Sequence, residues 1–231
     1  MATTAKIEIL ATITGPGVEP SYIHSFFITT DYIILGVWGA RLAWYGFKVL
    51  FEQNVLDAFS PFNPSQPVKW FIVDRKCGKG LVAGFESAAT FCFHTVNAWQ
   101  EVDAEGRTDI VCDCLEYENL DVMQRMYYEN LLAKRAPTTM QGEKGASSIP
   151  QLARYRLSSI GKKSFIRGKG EIRQAKLVFR TQKGHTGDLP IINPRFKMME
   201  NRYVWTVVNS GYSTFLDGIS KYDLKMEEVL Y

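Results

Sequence analysis

Phe91-Cys92-Phe93-His94-Thr95-Val96-Asn97-Ala98-Trp99, followed by Asp109-Ile110-Val111-Cys112-Asp113-Cys114-Leu115-Glu116-Tyr117, is the pair of segments that decides the fold. Both are short, rich in β-branched and aromatic residues, and bounded by turn-forming residues, which is the signature of strands. Similar runs occupy residues 26–38, 68–75, 81–86, 154–160, 175–180, 202–208 and 215–223, with Gly, Pro, Asn and Asp between them. Many short strands at nearly regular spacing predict an all-β chain built as a sandwich, barrel or propeller of antiparallel sheets.

The period changes once. Behind the candidate caps Asn119 and Asp121, Leu120, Met123, Tyr127 and Leu131 recur at steps of three and four residues, which predicts one inserted helix over about 119–134. Residues 135–150 are small, polar and interrupted by Pro and Gly, and read as a long surface loop. Gly78-Lys79-Gly80 has the wrong spacing for a phosphate loop and precedes a strand, so it reads as a hairpin turn.

The 231 residues suffice for a sizeable core, and 46% hydrophobic with 13% aromatic residues is the profile of a packed globular chain. A formal charge of +3 demands neither nucleic acid nor an anionic membrane, and no nucleic-acid partner is expected. Locally, residues 154–183 carry ten Lys or Arg against the single acid Glu171, which reads as a solvated basic face. No stretch is apolar for long enough to span a bilayer. The start lacks the pattern of a secretory signal, so a cytoplasmic location is expected. Cys112 and Cys114 share a strand face, too close in sequence for a metal knuckle or a good disulfide, and read as ordinary buried thiols.

The three histidines are His24, His94 and His185. His24 and His94 each lie in a run of large apolar residues, where a neutral imidazole needs partners at both nitrogens. A metal is one such partner, and a backbone carbonyl or a tyrosine is another. His185, in the Gly-rich stretch Lys183-Gly184-His185-Thr186-Gly187, reads as a surface residue.

The residues around these histidines carry a family resemblance. Residues 21–35 (SYIHSFFITTDYIIL) are similar to the segment of carotenoid cleavage dioxygenases in which an apolar residue and an iron-ligating His precede a strand beginning Thr-x-Asn/Asp-Tyr. Residues 93–101 (FHTVNAWQE), leading into DIVCD, resemble the next ligand segment. Gly187-Asp188-Leu189-Pro190-Ile191-Ile192-Asn193, then Asn201-Arg202-Tyr203-Val204-Trp205 and Lys221-Tyr222-Asp223, resemble a third conserved stretch. The wording around residues 54–62, 70–87 and 117–121 is similar to the fungal torulene-cleaving members.

The resemblance implies a seven-bladed β-propeller that holds Fe(II) on its axis through four histidines, three of them braced by outer carboxylates. His24 and His94 map onto the second and third ligands. Asp188 maps onto one carboxylate position, where Glu is usual. Being shorter, it is expected to reach its imidazole only through a water or a backbone shift, and its other reading is a cap on the Gly187 turn. The implied chemistry is cleavage of a conjugated C=C bond of a carotenoid or apocarotenoid by O₂ to aldehyde products, in an apolar tunnel that Phe26, Phe27, Trp38, Trp44, Phe93 and Trp99 would line or merely support as core. The first and fourth ligands have no counterpart here. Residues 1–231 are therefore expected to be one partial domain, a central piece of the fold, and not a competent oxygenase alone. The rival reading is a non-catalytic propeller-like binding module. Because carotenoids reside in lipid, peripheral membrane contact is expected as well.

Overall fold

The computed structural model describes residues 7–15, 18–133, 142–161, 172–210, 212–213 and 216–230. Three mainly antiparallel sheets follow one another along the chain. The first contains β1 (Phe27–Ile28), β2 (Tyr32–Val37), β3 (Val68–Asp74) and β4 (Leu81–Ser87). The second contains β5 (Phe91–Val102), β6 (Thr108–Tyr117), β7 (Gln151–Ile160) and, after the short strand β8 (Arg173–Gln174), β9 (Lys176–Arg180). The third contains β10 (Asp188–Ile191), β11 (Tyr203–Val208), β12 (Gly218–Asp223) and β13 (Glu228–Val229). β8 leaves its sequence neighbours and pairs in parallel with β4, adding a fifth strand to the first sheet. These sheets are consecutive blades of a partial β-propeller, and β5, the first strand of its blade, touches β1 and β10, the first strands of the other two.

Two apolar cores join the blades. Phe27, Trp38, Trp70 and Phe85 from the first sheet pack with Phe91, Tyr155 and Leu157 from the second. Trp70 sits at the centre, with ring centres 5.2 Å from Trp38 and 5.0 Å from Tyr155, and its indole N–H donates to Ser87 Oγ at 3.0 Å. Leu115 and Leu152 meet Ile192, Val204, Tyr222 and Leu224 to bind the second sheet to the third. Each such side chain, taken fully out of water, contributes about 1.5–3 kcal/mol, more than an exposed ion pair does.

Several expectations need correction. Residues 26–38 are not one strand. Thr29 turns the chain so that β1 folds back on β2, with Phe27 opposite Ile34, and the Thr29 hydroxyl accepts the Tyr32 N–H. The expected helix over 119–134 is two short ones, α1 excluded: with α1 as Lys48–Glu52, α2 spans Asp121–Gln124 and α3 Tyr128–Leu131. Within the expected 135–150 loop, Gly142–Ser147 forms α4, and Ser147, Ser148 and Pro150 are buried; residues 134–141 lie outside the described residues. The Gly78-Lys79-Gly80 turn does join antiparallel β3 and β4, with Gly78 and Gly80 in the left-handed region.

The basic stretch is less open than its composition implies. Arg154 makes two 2.8 Å hydrogen bonds to the fully buried Asp113, and its guanidinium lies 4.8 Å from the Trp99 ring centre and 5.2 Å from that of Phe179. Arg156 pairs with Glu101 and Asp109, Arg180 with Glu116, and Lys183 with Glu118. Residues 162–171 lie outside the described residues. Losing one partner of a buried pair strands the other charge. Arg154→Met is accordingly expected to lower unfolding free energy by about 3–5 kcal/mol, read as a lower denaturant midpoint, whereas Arg154→Met combined with Asp113→Asn is expected to cost less than Arg154→Met alone.

Candidate metal centre

His94 owes its direction to an irregular strand. Along β5, Cys92 lies opposite Glu116 and Thr95 opposite Cys114, so two residues, Phe93 and His94, face one, Leu115; a second irregularity follows between Thr95 and Asn97. A bulge of this kind breaks the alternation of side chains and re-aims one of them. Here Phe91, Cys92 and Phe93 are all buried, and His94 emerges half-buried.

The bulge leaves backbone groups without ladder partners, and Ser25 takes them up. Its hydroxyl donates to the Phe93 carbonyl at 2.7 Å and accepts the Thr95 N–H at 2.9 Å. Thr95 Oγ1 donates in turn to the Phe26 carbonyl at 3.2 Å. His24 is thereby clipped beside His94, although it lies in irregular chain before β1 and not in a strand as its surroundings suggested. The two imidazole centres are 4.8 Å apart with planes at 85°.

Asp188 begins β10. Its Oδ1 is 2.7 Å from His94 Nδ1 and accepts the Leu189 N–H at 2.7 Å, while its Oδ2 accepts the Tyr117 hydroxyl at 2.5 Å. The expected water is not needed. A register shift after Asp188 and a left-handed Leu189 (φ 53°) bring the shorter side chain into direct reach. Gly187 makes this approach possible, because a Cβ there would lie 1.9 Å from the Val207 carbonyl oxygen. Burial, with Asp188 beside it, pushes the Tyr117 phenol well above the usual tyrosine range, so Tyr117 remains a proton donor at neutral pH.

With its Nδ1–H donated to the carboxylate, His94 presents Nε2 as a lone pair. His24 Nδ1 is engaged by Tyr22 Oη at 2.9 Å. Neither Nε2 has a hydrogen-bond partner among the described residues. With their centres 4.8 Å apart, the two rings are close enough to share one ion through imidazole–metal bonds of about 2.1 Å. Among the described residues no cluster of three or more His, Cys, Asp or Glu could hold a metal ion, so the donors those residues offer here are two imidazoles, with Asp188 behind one of them. Cys92, Cys112 and Cys114 are buried in the core, and their thiols are pushed up, in Cys92 and Cys112 chiefly by burial and in Cys114 first by its contact with Cys92, so none offers a thiolate.

Both histidines open into a cavity of about 730 Å³. Its walls are mainly apolar, including Leu56, Phe59, Phe93, Val122, Met126 and Ile149, and Asp188 and Arg125 reach it too. Of the aromatic residues expected there, only Phe93 lines it. Phe27, Trp38 and Trp99 are blade core, and Phe26 and Trp44 are exposed. His185 is half-buried away from the cavity wall, its carbonyl accepting from Ser220 Oγ. Ser25, Tyr117 and Arg125 carry no sequence pattern that marks them; only adjacency to His24 in the chain points to Ser25.

The family model described as retinal pigment epithelial membrane protein (RPE65) matches residues 2–231, and the chain belongs to that carotenoid oxygenase family. It is 33% identical over 236 residues to a torulene dioxygenase of Fusarium fujikuroi, covering 98% of this chain and 40% of that protein. It is 30% identical over 239 residues to a carotenoid dioxygenase of Neurospora crassa, covering 100% of this chain and 39% of that protein. The chain thus spans about 40% of the length of these curated relatives. Among solved structures, an ACO/RPE65 chimera aligns with a TM-score of 0.59 at 20% identity, over 90% of this chain and 37% of the other. A cobalt-substituted Synechocystis ACO aligns with 0.54 at 19%, over the same shares. At these identities the structures establish the fold.

The Ser25 clasp has a direct test. Ser25→Ala removes both hydrogen bonds and leaves the bulge carbonyl and amide unpaired, at about 1–3 kcal/mol. Amide hydrogen exchange at Thr95 is expected to accelerate, with little change in strands of the third sheet.

Proposed function

We propose that this chain contributes His24 and His94 to the Fe(II) centre of a dioxygenase that cleaves a conjugated C=C bond of a carotenoid or apocarotenoid, torulene-like in the fungal relatives, to aldehyde products. The observation that carries the reading is the perpendicular imidazole pair at the wall of an apolar cavity, with neither Nε2 hydrogen-bonded among the described residues. When bound, the iron supplies the site for activating O₂, and imidazole donors suit it. Asp188 fixes the tautomer and orientation of His94, and Tyr117 fixes Asp188. The apolar walls bind the polyene by burial and exclude water from its reacting carbons. Residues 1–231 act as one part of a carotenoid-oxygenase domain, a reading supported by the continuous cores between blades.

A second reading is favoured by the donor set of only two imidazoles among the described residues: a module that binds the polyene without turning it over. Metal titration of the purified chain under anaerobic conditions separates the two. Fe(II) binding that is lost in His24→Ala or His94→Ala, and weakened about ten- to a hundredfold in Asp188→Asn without loss of folding, is the expected result. Unchanged metal binding in the double histidine variant would sink the proposal.

We also propose contact with a lipid surface. No helix among the described residues is long and apolar enough to cross a membrane, but Phe47, Leu50 and Phe51 on and beside α1 are 66–74% exposed, and the chain runs on from them to Val55, Leu56 and Phe59 in the cavity wall. Exposed aromatic and aliphatic groups of this kind partition into the interface. Co-sedimentation with neutral lipid vesicles is expected for the parent chain and is expected to fall at least several-fold in the Leu50→Ser, Phe51→Ser variant.

A further inference from the structure

Arg125 follows α2, and its guanidinium reaches the wall of the cavity that holds the two imidazoles. The other charged group there among the described residues, Asp188, is engaged by His94, the Leu189 N–H and Tyr117. Arg125 makes no ion pair and no side-chain hydrogen bond among the described residues, and burial pulls its pKa below the usual guanidinium range. Among the described residues, the cavity therefore has an apolar body and one cation without a counter-charge. A planar fork of donors in low-dielectric surroundings is best satisfied by a carboxylate, which accepts two parallel hydrogen bonds and neutralises the charge. An aldehyde or a hydroxyl supplies neither the charge nor the second acceptor.

We propose that, among apocarotenoids, the cavity favours one carrying a carboxylate at one end, with Arg125 anchoring that end and so fixing which stretch of the chain lies against the imidazoles. This rests on the polyene-binding reading above and deepens it by assigning the ligand's polar terminus. Val122 and Met123 of the same short helix are buried in the blade core, which keeps the segment that carries Arg125 seated on the cavity. A specificity residue of this sort acts on one ligand end and discriminates between ligands that differ there.

The test uses the 231-residue chain and two probes of equal length, all-trans-retinoic acid and its methyl ester, with binding read from quenching of protein tryptophan fluorescence. The parent chain is expected to bind the acid on the order of tenfold or more tightly than the ester. Arg125→Gln is expected to abolish that preference by lowering acid affinity far more than ester affinity, and Arg125→Lys to retain part of it, since an ammonium keeps the charge but not the fork. Equal affinity for acid and ester in the parent chain, or an acid preference that survives in Arg125→Gln, overturns the proposal and leaves the polyene reading standing. Failure of both probes to bind overturns both. Thermal unfolding of each variant guards the comparison: if Arg125→Gln fails to fold, a reduced acid preference in folded Arg125→Lys supports the proposal and its full retention there overturns it.

Discussion

Over half its length β5 has no solvent face, and the rest of the structure is arranged around that constraint. Buried between the first and third blades, each polar group it carries must find a partner on another element. Ser25 serves the bulge. Asn97, buried to 9% exposure, donates to the carbonyls of Phe196 and Met199 and accepts the Met198 N–H. Gln100 reaches Asp31. His94 meets Asp188. The functional side chains are thus held by the same hydrogen bonds that let a polar strand lie in an apolar interior, which makes the site's geometry a by-product of satisfying the backbone and needs no separate scaffold.

Strand existence was legible because β-branched and aromatic runs bounded by turn residues have few other uses, and the residues flanking His24 and His94 made the family readable. What was not legible depended on contacts between distant segments. Nothing in residues 26–38 marks Thr29 as a fold-back point, since Thr is a good strand former; the turn follows from its hydroxyl serving the Tyr32 amide. The inserted helix split because Tyr127 has extended backbone (ψ 138°) between α2 and α3, although its side chain kept the helical period. The composition of 154–183 suggested an open basic face, but Asp109 and Asp113 on the neighbouring strand β6 face Arg156 and Arg154, and Glu116 of the same strand pairs with Arg180 of β9, two strands away. Charge pairing across strands is invisible until register is known.

At the site, the sequence singled out His24, His94 and Asp188, and these three do converge. It missed how Asp188 compensates for its length. A left-handed Leu189, a register shift and a neighbouring glycine without room for a Cβ together move the carboxylate forward. The shorter side chain makes its contact from this particular backbone, which a residue-by-residue comparison with a motif does not reveal.

The placement of β8 has a consequence for synthesis. The first sheet takes Arg173 and Gln174 in parallel beside Phe85 and Glu86, while the very next strand, β9, belongs to the second sheet. As the chain leaves the ribosome, the edge of β4 has no mate until residue 173 has emerged, long after β5, β6 and β7 are available to pair. The first two blades must therefore mature together, and an unfinished nascent chain presents a bare strand edge of the kind that chaperones hold.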